Sequence, residues 1–446
     1  MIKGNIIQMS LAAVLLTTAL SAQSSRELSL SEAISYALQH KADAEKAQLN
    51  IKNADAQITE AKAGALPKLN ASSTTTYNPI LQEMVIPSFI DPTQTLKLTM
   101  GQKWTSSNSL ALQQALFNQA VFVGLKAAKS TREFYIINAQ LTEEQIIEKV
   151  ANAYYQVYQA EQMLSNLDDN LAITEQTSTI IKGLYDAGLA KKIDYDRTQV
   201  ALNNLKSTRN QLVNTVSLSE NALKFIIGMP MEESVKLPAS AFDPQLIEVE
   251  ETQLSERTEL KVLGKQLELL DWKKRATEAQ YYPTASLSAN YTWYGQGSKF
   301  PWWNGSKNGV YWSDIASISL NITVPIFNGF AIKSKVEQSK IEIQKAQADL
   351  RDTQLALDMS FKNAKTQLEN SAIAISTQEE NVKLAEEVLS NIRNNYKFGL
   401  ASLNDILDAE KDLASAKNNL TKSKLDYKLA EIQLLKSQGK LKTLSN

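Results

Sequence analysis

Asp405 and Asp408 stand three residues apart in the stretch Asp405-Ile-Leu-Asp408, directly after a glycine-containing break in a long helical pattern. Residues three apart on a helix share a face, so the two carboxylates stack beside a turn and point the same way. Such a pair could trade a proton as general acid and base, or it could gather cations. Acid-base chemistry lacks its usual company, because no nucleophile motif or histidine partner surrounds the pair. The single histidine, His40, ends an early apolar-periodic run and reads as an ordinary helix residue. The chain contains no cysteine, which excludes zinc and iron–sulfur sites built on Cys or His clusters. The expectation is therefore charge presented to ions and water, with no enzyme activity and no cofactor.

The elements that position the pair occur twice. A heptad-patterned helix arrives at Tyr396, Phe398-Gly399-Leu400 break it, and a second amphipathic helix leaves through Asp405. The same layout lies 211 residues upstream, where Tyr185, Gly188 and Asp194 match Tyr396, Gly399 and Asp405. Gly188 and Gly399 suit the backbone of a tight interhelical turn. Asp194 and Asp405 also stand where an acid caps a helix start or complements its dipole. Other landmarks recur at nearly the same offset, Phe117-Asn118 with Phe327-Asn328 and Gly228 with Gly439. Self-similarity on this scale is a duplication.

Before the first repeat, residues 1–21 read as a signal peptide: Lys3 is basic, Ile6 to Leu20 apolar, and Ala19-Leu-Ser21 small. That run is shorter than a helical membrane span, which needs about 20 residues. The first repeat, residues 22–230, starts with a helix from Ser31 to about Gly64, stopped by Pro67. Strands follow at about 68–77 and 107–117, separated by a Pro-bearing loop. A helix of about 100 Å then runs from Asn118 to Asp186, with a tip at about 185–194 and a shorter helix over roughly 192–227. Residues 231–252 form a linker. The second repeat, 253–446, repeats the order, with strands at about 284–294 and 314–325, a long helix at 328–398, and a tip at about 396–408.

The long helices keep a seven-residue spacing, as in Val150, Val157, Leu164 and in Leu368, Ile375, Val382. Sustained sevens predict coiled-coil packing, which alone is compatible with a structural antiparallel scaffold. The strands alternate cleanly: Ile318, Leu320 and Ile322 interleave with Ser319 and Asn321, and the preceding strand ends in Tyr291 and Trp293. This suits a membrane barrel, or equally a half-buried soluble sheet. Barrels of this kind begin at eight strands, so several copies would have to share one. The loop from Gly295 to Trp312 would then cap the outer side, or serve as a long hairpin loop. Lys plus Arg (47) nearly cancels Asp plus Glu (48), and no basic block tracks a phosphate backbone, so nucleic acid is not an expected partner.

The duplicated order of elements and the motif Tyr396-x-x-Gly399 followed by Asp405-Ile-Leu-Asp408-Ala409 resemble the TolC family of outer-membrane efflux channels. The resemblance covers essentially the whole mature chain. It implies a mainly α fold with membrane β structure, a homotrimer whose 12-stranded β-barrel is continuous with a 12-helix periplasmic α-barrel. It implies a location in the outer membrane, contact with its lipid, and partners in a periplasmic adaptor (a membrane fusion protein) and an inner-membrane pump of the RND or ABC type. By the same resemblance Asp405 and Asp408 line a pore constriction, and Asp194 and Tyr396 act as a gate latch. Gly188, Leu189, Gly399, Leu400 and Ser402 form the tip turns and adaptor contact. Ala401 departs from the family pattern, which can place an arginine there; a weaker latch, or substitution by Lys191 and Lys192, follows. The implied function is a passive exit duct for a tripartite efflux system. Type I protein secretion and a periplasmic coiled-coil scaffold are the alternatives.

Overall fold

The computed structural model describes residues 26–87, 90, 94–233, 235–238 and 256–445. The signal peptide and most of the linker lie outside the described residues. The chain divides into two compact units, one built from Met1–Ala47, Ala139–Thr258 and Gln354–Asn446, the other from Gln48–Asn138 and Glu259–Thr353.

The first unit is helical. Helix α1 (Leu30–His40) starts with a capping box, in which Ser29 and Glu32 satisfy each other's exposed backbone N–H groups. The apolar spacing predicts one helix running on to about Gly64, but the chain breaks at Lys41, whose ψ of 130° is extended, before α2 (Ala42–Ala63) begins. Tertiary contacts explain the break. The Lys41 ammonium donates to the Phe225 carbonyl at 2.8 Å and lies over the Phe225 ring. That carbonyl belongs to the last turn of α4 (Lys192–Ile227), where helix acceptors otherwise lack partners. At the end of α4, Gly228 turns left-handed (φ +77°), and a Cβ there would sit 3.1 Å from the His40 carbonyl. Glycine thus allows the two chain segments to meet.

The long helices are α3 (Gln119–Asp186) and α6 (Ala331–Lys397); α5 (Thr258–Glu278) comes before α6 and α7 (Leu403–Ser437) follows it. The seven-residue seams pack as their periodicity requires. Val150, Tyr154 and Val157 of α3 are buried with Ile34, Leu223 and Ile227. On α6, Leu368 and Ile375 meet Tyr427, Ala430 and Leu434 of α7, and nearer the turn Leu389 meets Ile406, Ala409 and Leu413. The Tyr154 hydroxyl, buried in this core, donates to the Leu28 carbonyl at 3.0 Å, which avoids the cost of an unpaired polar atom.

The second unit contains a four-stranded antiparallel sheet. Its strands are β2 (Lys68–Tyr77), β5 (Trp104–Phe117), β7 (Thr284–Gly297) and β8 (Val310–Thr323), in the order β2-β5-β7-β8. The register puts Leu69 beside Leu112, Leu112 beside Ala289, and Ala289 beside Ile318, so one face is an apolar band. The opposite face is polar, and hydroxyl and amide pairs such as Ser72 with Ser109 (2.7 Å) and Asn321 with Ser288 (3.0 Å) cross it. Between β2 and β5 lies a separate hairpin, β3 (Gln82–Pro87) and β4 (Thr95–Met100), where the prolines predict only a loop. Its Met84 pairs with Leu98 and its Ile86 with Leu96. Among the described residues no helix is long and apolar enough to cross a membrane. The remaining small strands, β1 (Arg26–Glu27) and β6 (Val235–Lys236), pair in parallel.

One acid in the first unit responds to its burial. Glu161 has its pKa raised to about 7, first by desolvation and then by the neighbouring Glu220, with Lys236 opposing. The folded form therefore holds a proton that the unfolded chain, with an ordinary carboxyl, releases nearer pH 4.5. Stability from this group is complete below that value and is lost as pH rises through about 7. Glu161→Gln is expected to raise the thermal midpoint at pH 8 and leave it nearly unchanged at pH 4.5, in melts followed by helical circular dichroism.

Candidate functional site

The two helical tips close by the same local chemistry. After α3, the Gly188 N–H bonds the Tyr185 carbonyl at 2.9 Å and the Leu189 N–H reaches back to Leu184 at 2.8 Å. After α6, the Gly399 N–H bonds Tyr396 at 3.0 Å and the Leu400 N–H reaches Asn395 at 2.9 Å. Both are Schellman closures, which satisfy the last carbonyls of a helix and require a left-handed residue. Gly188 and Gly399 supply it, with φ of +75° and +71°. The residues that follow project outward: Leu189 is 77% and Leu400 78% exposed, and Phe398 is 79% exposed.

The outgoing helices differ. Ser402 caps α7 with a full capping box: its Oγ accepts from the Asp405 N–H, while the Asp405 carboxylate accepts from the Ser402 N–H (2.7 Å) and Oγ (2.8 Å). These bonds, backbone first, hold the Asp405 carboxyl below its usual pKa, so it stays charged while serving as the cap. Asp408, one turn on, is exposed and borders a cleft with Leu167, Asn170, Ala201 and Leu407. The two acids are therefore unequal: one is tied to the turn and the other faces the cleft. The first tip has no such device, since Lys191 caps α4 without a side-chain hydrogen bond.

The Asp194 charge on α4 is near enough to act electrostatically on Tyr396 of α6. Tyr396 is half-buried, and its phenol pKa is raised by desolvation and then by the Asp194 charge. Beside it, Thr177, Ile181, Arg393, Tyr396 and Ile406 line a cavity of about 200 Å³. The hairpins are also joined by residues that sequence reasoning missed. Arg197 of α4 donates from Nη1 to Asn404 Oδ1 of α7 at 2.8 Å. Deeper, Glu410 of α7 is only 3% exposed and accepts from Thr174 (2.9 Å) and Thr177 (2.7 Å) of α3 and from Arg393 of α6 (3.1 Å). Its visible signal is an acid inside an apolar stripe, since Ile406, Glu410 and Leu413 fall on one helical face. Lys191 and Lys192 are exposed. Arg197 and Arg393 make cationic contacts between elements near the tips. Among the described residues no group of three or more acids or histidines could hold a metal ion.

Residues 33–229 and 251–440 match the family model described as "Outer membrane efflux protein". The chain is 23% identical over 426 residues to the probable efflux pump outer membrane protein TtgC of Pseudomonas putida, with 92% of this chain and 82% of that protein covered. It is 22% identical over 440 residues to the proteases secretion protein PrtF of Dickeya chrysanthemi, covering 96% and 92%. The crystal structure of the open state of the Neisseria gonorrhoeae MtrE outer membrane channel superposes with a TM-score of 0.72 at 21% identity, covering 94% and 90%. Its fold is that of this chain.

Removing the buried acceptor takes the carboxylate away from Thr174, Thr177 and Arg393 at once. Glu410→Ala is expected to destabilise the helical unit by on the order of 3 kcal/mol, the scale for breaking a buried ion pair from one side. Glu410→Gln, which keeps an acceptor for the threonines, loses less. Urea unfolding of both variants, followed by circular dichroism, checks the ranking.

Proposed function

Because the chain belongs to the outer membrane efflux protein family, we propose that it is the exit duct of a tripartite efflux system, passing substrates across periplasm and outer membrane without chemistry of its own. The observation that carries this reading is the sheet, apolar on one face and polar on the other, with only four strands. A closed barrel of this type needs at least eight strands. Three copies would pool twelve, with their apolar faces toward lipid and polar faces toward a lumen. Three copies would also bring together three sets of tips, placing six carboxylates from Asp405 and Asp408 around the periplasmic entrance. Like charges so arranged attract cations.

The tips support a partner-operated gate. Leu189, Phe398 and Leu400, exposed at the turns, are the surface offered to a periplasmic adaptor, which would in turn link the duct to an inner-membrane pump. Gly188, Gly399 and Ser402 set the shape of that surface rather than its chemistry. Asp194 and Tyr396, with Arg197 and Asn404, are the contacts that would part as the hairpins move outward. A second reading, export of a protein by a type I secretion system, is favoured by the likeness to PrtF, which is named for secretion of proteases. Both readings use the same duct. A periplasmic scaffold that never enters a membrane leaves the apolar face of the sheet without a role.

Asp405→Asn with Asp408→Asn removes the charges but keeps an oxygen for the α7 cap. In planar bilayers the double variant is expected to lose most of its preference for cations and its block by divalent cations, with its migration as a trimer unchanged. Undiminished cation selectivity would remove both acids from the entrance.

A further inference from the structure

The loop 298–309 between β7 and β8 does not stand clear of the sheet. Its 3-10 turn, Pro301–Trp303, folds back onto the apolar face. The Trp302 Nε1–H donates to Thr75 Oγ1 of β2 at 3.2 Å. The Trp302 ring meets Trp293 and Trp312 edge-on at 6.1 and 5.8 Å, while those two stack on each other at 4.1 Å. Phe300 packs edge-on against Trp104 at 5.2 Å. By strand alternation Trp293 lies on the same face as Leu287 and Ala289, and Thr75 on the same face as Leu69. Gly295 makes room for the stack: a Cβ there would lie 2.8 Å from the Trp312 ring. Ser106 is wholly buried underneath.

This aromatic cluster sits on the apolar face at its loop end, past a row in which Ser73, Asn108 and Asp314 stand beside Trp293. Its outermost ring, Trp303, is 84% exposed and is held by Phe300 at 6.1 Å. Lys299 and Lys307, in the same loop, are exposed. Exposed indole beside lysine at the edge of an apolar band is the chemistry of a membrane interface, where rings settle at headgroup level and ammonium groups meet phosphates. We propose that the loop 298–309 is an outer-leaflet anchor that binds phosphate-bearing lipid headgroups on the outside of the barrel, rather than a lid across the lumen. This rests on the proposed barrel and adds a lipid-binding role to a loop whose sequence suggests a cap or a long hairpin connection.

The chain has no cysteine, so single nitroxide labels can be placed at Trp303→Cys, at Leu320→Cys on the apolar band, and at Lys192→Cys at the exposed tip. In vesicles of phosphatidylethanolamine and phosphatidylglycerol, collisions with a water-soluble nickel chelate are expected to be frequent at 192, several-fold fewer at 303, and rarest at 320. If 303 matches 192 while 320 is shielded, the barrel stands and the anchor is overturned. If 320 is also as accessible as 192, the barrel reading fails and takes the anchor with it. Trp303→Ala is expected to leave single-channel conductance unchanged; a rise would put the loop in the ion path and equally overturn the proposal.

Discussion

The constraint on which the fold depends is that a sheet in a membrane cannot leave an edge unpaired. Backbone N–H and C=O groups in hydrocarbon must be satisfied by other backbone, and β2 and β8, the two edges of this sheet, are 10 and 14 residues long. Neither carries a proline inside the strand or an obvious device that blocks further pairing. Residues of β8 from Ser313 to Thr323 are exposed on both faces, and in the proposed barrel another copy and the bilayer would cover them. The helical unit is under no such compulsion, because α-helices satisfy their own backbones and its core is filled by residues such as Tyr154, Ile147 and Leu434.

Duplication gave the two tips the same turns and different ties. Lys182 and Gln199 of the first repeat correspond, at the 211-residue offset, to Arg393 and Glu410 of the second. Lys182 bonds Asp186 at the surface, and Gln199 donates to Ser178, so the first tip has no buried charge pair. The second tip has both the buried pair and the capping box. Any outward motion of the hairpins therefore starts from unequal halves, with α6 and α7 braced against α3 by the buried Glu410 carboxylate and the start of α4 held by Thr198 and Gln199 on Ser178 and by Arg197 on Asn404.

Much of this was legible in the chain because it is set by local or periodic signals. The turns at Gly188 and Gly399 follow from glycine's access to left-handed backbone, the seams through Leu368 and Ile375 from heptad spacing, and the strand faces from alternation such as Ile318, Leu320, Ile322. What escaped depends on distant partners. The break at Lys41 is made by Phe225 and Gly228, nearly two hundred residues away. The β3–β4 hairpin was obscured by prolines that it tolerates at a strand end and in its flanks. Glu410 falls on the apolar stripe of α7, but the Arg393 and the two threonines that meet it come from other helices. Asp405 was open to two readings, and its geometry as a cap does not cancel its charge.

The bond from Arg197 to Asn404 has a property that a guanidinium–carboxylate contact would lack. An amide oxygen takes up no proton over the range in which carboxylates titrate, and it carries no formal charge for salt to screen. Acidic or saline surroundings would therefore weaken an acid-based fastening while leaving this one largely intact, giving the tip one clasp indifferent to the medium that bathes it.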